Sequence, residues 1–110
     1  MQLPNRLQAY IPSDKLRAYL LSEMHAVGKA KATFFRTLGF NETNIPLLKH
    51  RLLTLAHSAL VQEVVPPPHG VKYIIEGVLE APSGASPRIH TVWILETGEP
   101  NPRFVTAYPA

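Results

Sequence analysis

The sequence predicts an α+β fold, about three N-terminal helices packed on one antiparallel sheet of about four strands. Two observations predict it. Up to Ala59 the apolar residues recur at helical spacing, and beyond the PPPHG run at Pro66–Gly70 they alternate with polar ones at a period of two. The 110 residues, 45% of them hydrophobic, are enough for one compact domain, 1–110, with its own core.

The first helix is expected from Ser13, as N-cap, to about Glu23: Pro12 blocks upstream extension, and Leu16, Tyr19 and Leu20 share a face. In KAKATFFRTLG the spacing resumes, with Ala30, Phe34 and Leu38 on one stripe, Lys31 and Phe35 beside it, and Gly39 as the stop. The third helix has Asn44 as cap and Pro46 in its first turn. Ile45, Leu48, Leu52, Leu55 and Ala59 mark its apolar stripe, while His50 and His57 fall on a solvated side. A short strand is expected over Leu60–Val65. VKYIIEGVLE, RIHTVWILET and RFVTAYP follow as strands joined by the turns APSGAS and GEPNP.

Composition excludes several classes of chemistry. There is no cysteine, so disulfides and thiolate metal sites are out of reach and a cytoplasmic location is the default. Asp14 is the one aspartate and the glutamates are scattered, which disfavours carboxylate metal sites and paired-carboxylate hydrolysis. Glu76 and Glu80, at strand spacing, read as a solvent face. No stretch has the length of a membrane span, the N-terminus has no leader pattern, and no Walker loop, dinucleotide fingerprint, G-x-S-x-G or H-E-x-x-H occurs. The net charge of +3 leans towards polyanion partners.

Two clusters could carry chemistry. In HAVGKAKATFF a histidine, a glycine and two lysines run into an apolar helix. A helix starting near Gly28 would point unpaired N–H groups at an anion. An unperturbed histidine has a pKa of about 6.5, so His25 could take or give a proton, and Lys29 or Lys31 could add fixed positive charge. In RFVTAYP, strict alternation puts Phe104, Thr106 and Tyr108 on one face, and in RIHTVWIL it puts Ile89, Thr91, Trp93 and Leu95 opposite Arg88, His90, Val92 and Ile94. For both clusters solvated lysines and plain sheet packing are the competing explanation.

Over nearly its whole length the chain resembles the bacterial domain-of-unknown-function family DUF6883. The resemblance is carried by YLLSEMHAVGKAKATFFRTLGF with its H-x-x-G-x-x-K, by G-x-x-Y-x-x-x-G-x-L, by T-V-W, and by the closing P-R-x-V-T-A-Y. Similar domains end bacterial polymorphic toxins, and the element order is similar to the barnase, EndoU, colicin and RelE-type ribonuclease fold. The family's recurrent polar positions fall on His25, Gly28, Lys31, Thr91, Arg103, Thr106 and Tyr108. The resemblance assigns these positions no role, but the similar fold order and the chemistry of the residues fit a toxin-like, metal-independent endoribonuclease in which the ribose 2′-OH attacks its own phosphate. His25, Lys31, Arg103, Thr106 and Tyr108 would then be catalytic, and Gly28, Lys29, Arg88 and Thr91 would contact phosphate or RNA. No metal or other cofactor is implied. The expected partners are tRNA or mRNA and a small neighbouring-gene protein acting as antitoxin. The alternative is a non-catalytic interaction or RNA-binding module of a toxin–antitoxin pair, with a small-metabolite enzyme as a third reading.

Overall fold

Pro12 and Asp14 open a turn that winds into a helix of π type, Lys15–Leu20, in a computed structural model of the protein that describes residues 1–22, 29–66 and 68–110. The Leu21 N–H donates to the Leu16 carbonyl five residues back (2.8 Å), and Leu16, Leu20 and Leu21 are buried. Asp14, rather than Ser13, occupies the cap position, without a side-chain bond. The helix is thus shorter than the periodicity predicted, and Glu23, His25 and Gly28 lie outside the described residues.

Helix α1, Lys29–Thr37, buries Ala32 and Phe35, and Leu38 just past its end. Ala30 is exposed and Phe34 only half-buried, so the core stripe is rotated from the one expected. Gly39, at φ 99°, ends the helix as predicted. Helix α2, Ile45–Ser58, carries Pro46 in its first turn and buries Leu48, Leu52, Leu55 and Ala56. Asn44 stands at its cap, but the side chain turns back to brace the preceding loop. Its Oδ1 accepts the Asn41 N–H (2.8 Å) and its Nδ2 donates to the Gly39 carbonyl (2.9 Å).

Strands β1 (Val61–Val65), β2 (Gly70–Val78), β3 (Arg88–Glu96) and β4 (Arg103–Pro109) form one antiparallel sheet in the order β1-β2-β3-β4. The α+β architecture of helices first and a four-stranded meander after is therefore the one predicted. Ile75, Ile89, Trp93, Phe104 and Ala107 pack against the leucines and phenylalanines of the helices in one core. Among the described residues, no helix is long and apolar enough to cross a membrane.

Register defines the other face of the sheet. There Tyr108 stands beside His90 and His90 beside Glu76; the next row is Thr106, Val92 and Ile74, and the next Arg103, Ile94 and Lys72. One irregularity decides this. A bulge in β4 opposite the Val92–Trp93 step makes Trp93 pair with Phe104 while Val92 pairs with Thr106. Without it, alternation would put Phe104 with Thr106 and Tyr108; with it, Phe104 enters the core and the two polar residues point away.

Candidate functional site

Elements from both ends of the chain meet at the edge strand β4. The Lys31 ammonium on α1 donates to the Thr106 hydroxyl (3.0 Å) and to the Tyr19 phenol (3.3 Å), and the phenol and hydroxyl are themselves 3.3 Å apart. These three polar groups thus form a closed triangle. The Lys31 nitrogen also stands 5.9 Å from the centre of the Tyr108 ring, and the Lys15 ammonium 4.3 Å from that of Tyr19. Hydrogen bonding to Thr106, opposed by burial and reinforced by Lys31, holds the Tyr19 phenol below its usual value of 10.0.

The group continues along the outer face. Tyr108 packs edge-on against His90 with ring centres 5.2 Å apart. His90 Nε2 lies 3.1 Å from one Glu76 oxygen, and the Arg88 guanidinium donates to the other at 3.1 Å. About a quarter of each of the His90 and Glu76 side chains is exposed. The result is a half-buried, solvent-reachable track that runs from two ammonium groups through two phenols and a hydroxyl to an imidazole backed by a carboxylate and a guanidinium. Chemically it can bind an anion at Lys31 and exchange a proton at His90. Among the described residues, Lys31 has no carboxylate partner, which leaves its charge available to a ligand.

Of the residues singled out from sequence, Lys31, Thr106, Tyr108 and Arg88 come together here. Arg103 does not join them: it lies on the same face one row from Thr106, roughly 7 Å along the strand, and its guanidinium is bound to Glu96. Thr91 is wholly buried on the core side, where its hydroxyl accepts the Trp93 indole N–H (2.9 Å), so no phosphate reaches it, and the equally buried Trp93 has no face free for a base. Lys29 is exposed at the start of α1. His25 and Gly28 lie outside the described residues. Glu80 turns to Arg51 on α2 (3.4 Å) and does not share a face with Glu76 in the way strand alternation suggested.

Tyr19, His90 and Glu76 are the members sequence reasoning missed as a group. A signal for two of them was present. Glu76 and His90 stand equally far either side of Ser83, and His90 and Tyr108 equally far either side of Glu99, so folding each hairpin about its turn places all three in one row. Nothing comparable marks Tyr19, which reads as a core position on its helix.

The fold has a counterpart among solved structures. It matches a chain of the contact-dependent growth inhibition toxin–immunity protein complex from Klebsiella pneumoniae 342 with a TM-score of 0.74, over 97% of each chain and at 16% identity. At that identity the likeness is one of fold. No curated protein matches the chain in sequence. The family described as "Domain of unknown function (DUF6883)" matches residues 2–110, and the chain belongs to it.

Proposed function

We propose that the chain is a toxin-like endoribonuclease that cleaves RNA by internal attack, and that it is held in check by a small immunity protein. The observation that carries the reading is the Lys31–Thr106–Tyr19 triangle lying in one track with Tyr108, His90 and Glu76 on the outer face of the sheet. In this reaction the 2′-oxygen bonds to phosphorus and the bond to the 5′-oxygen breaks. One group takes the 2′ proton and another gives a proton to the leaving oxygen. The products are a 2′,3′-cyclic phosphate and a 5′-hydroxyl.

Lys31 would neutralise the charge that grows on the phosphoryl oxygens, with Thr106 and Tyr108 as donors beside it. Glu76 engages Nε2 of His90 and so orients the ring, leaving Nδ1 to exchange a proton with substrate. Arg88 and Lys29 would steer flanking phosphates, as would Arg103 one row further on. His25, the first proton carrier suggested by the sequence, enters the test alongside His90. The resemblance in fold to a chain of a toxin–immunity complex supports both the toxin class and the protein partner.

That complex holds two kinds of chain, which favours one competing reading, a non-catalytic chain that covers a toxin. A protein that occludes a phosphate-binding site gains from negative charge, whereas this chain carries +3 and, in its polar track, a lysine with no carboxylate partner among the described residues. The test incubates wild type, His90→Gln and His25→Ala with tRNA and total RNA in the presence of chelator. Wild type should release fragments ending in 2′,3′-cyclic phosphate, and His90→Gln should be slower by about 10²–10⁴ at an unchanged melting temperature. Intact RNA with folded wild-type protein refutes the reading.

A further inference from the structure

The outer face of the sheet holds a second feature one row from Thr106. Ile94 pairs with Lys72, and Lys72 with Val65. Val65, Pro66, Pro68, His69, Lys72 and Ile94 are among the residues lining a cleft of about 160 Å³ where the chain passes from β1 to β2. Its walls are aliphatic side chains and proline rings. Its polar side chains are the Lys72 ammonium and the His69 imidazole, both exposed and neither bonded to another described side chain.

Size and chemistry limit the occupant. An apolar cavity of about 150 Å³ takes one benzene ring, so this cleft, partly open to solvent, has room for a single six-membered ring. Aliphatic and proline walls suit a planar heterocycle, and the lysine among them matches a ring carbonyl oxygen. Its position also fits. Ile94, the wall nearest β4, is one strand across and two residues along from Thr106, roughly 8 Å between backbones, and Lys72 lies one strand further, so a base seated against Ile94 has its own phosphate turned towards Thr106 and Lys31. Single-stranded RNA, whose bases can splay away from one another, presents such a unit.

We infer that this cleft is a pyrimidine subsite, seating the base of the nucleotide beside the cleaved phosphodiester, a role that rests on the ribonuclease reading. Two measurements separate the subsite from the catalysis. In the first, the ¹⁵N-labelled chain is titrated with uridine 3′-monophosphate, guanosine 3′-monophosphate and inorganic phosphate. Only the uridine nucleotide should shift the His69, Lys72 and Ile94 amides in a saturable way. In the second, oligonucleotides with one cleavable linkage, preceded by U, C, A or G, are cut by wild type and by Lys72→Ala, a change at an exposed position that leaves the core intact.

Pyrimidine substrates should be cut about tenfold faster than purine ones, with the preference reduced several-fold in Lys72→Ala. Equal rates for all four bases, or a preference indifferent to Lys72, overturns the subsite while ribonuclease activity stands. If no RNA is cut, the ribonuclease reading fails by itself. In that case saturable uridine shifts sustain the cleft as a pyrimidine site, and their absence removes it.

Discussion

Replacing Lys31 by methionine separates a structural role from a functional one by magnitude. The substitution keeps the aliphatic stem and removes two hydrogen bonds, to Thr106 at 3.0 Å and to Tyr19 at 3.3 Å. A bond of this kind contributes about 0.5–1.5 kcal/mol net, and solvent screening at a half-exposed ammonium keeps it near the low end. Tyr19 and Thr106 remain 3.3 Å apart and bond each other, so neither oxygen is orphaned. The expected stability loss is therefore about 1 kcal/mol, or about 4–8 °C in melting temperature for a domain of this size.

The catalytic loss should be larger. Removing one preorganised donor from a developing oxyanion costs about 10²–10³ in rate, or about 2.7–4 kcal/mol. Lys31→Met should thus melt a few degrees below wild type yet cut RNA at least a hundredfold more slowly, with Lys31→Arg retaining part of the rate through its charge. Phenol titration followed by ultraviolet absorbance supplies an independent readout. Tyr19 should ionise at higher pH in Lys31→Met, because the ammonium that helps depress it is gone. A variant that cuts RNA within about threefold of wild type would refute the assignment of Lys31 to the reacting phosphate.

Thr91→Val conserves shape but leaves the buried Trp93 indole N–H without its acceptor. It should cost about 1–3 kcal/mol by urea unfolding, while the folded fraction cuts RNA normally; an unchanged midpoint would contradict the core role. Gly77→Ala would place a methyl 2.5 Å from Leu55 Cδ2, where α2 lies against β2, and should cost about 1–3 kcal/mol in the same assay; no loss would mean that Leu55 moves freely. Glu42 is held at a pKa of about 2, first by its hydrogen bonds from Arg36, against a reference of 4.5. Its contribution to stability is therefore complete above pH 4.5 and is lost as pH falls through about 2. The melting temperature of wild type should fall more steeply over that window than that of Glu42→Gln, and parallel curves would show that the pair does not matter.

Local order along the chain determined the elements of this protein. The span of α2 followed from its apolar period, Asn44 and Pro46, and the three long strands followed from alternation between turn residues, because helix and strand periods are properties of neighbours in sequence. Lys31, Thr106 and Tyr108 stood out on the same grounds. Which polar groups share a surface was decided by tertiary structure. The bulge in β4 reversed Phe104 against Thr106, the β4 edge let Lys31 and Tyr19 reach the outer face, and burial turned Thr91 into a partner for Trp93. The physical reason is that a one-residue change of register moves a side chain through the sheet, and what fixes register is the packing of distant residues against one core.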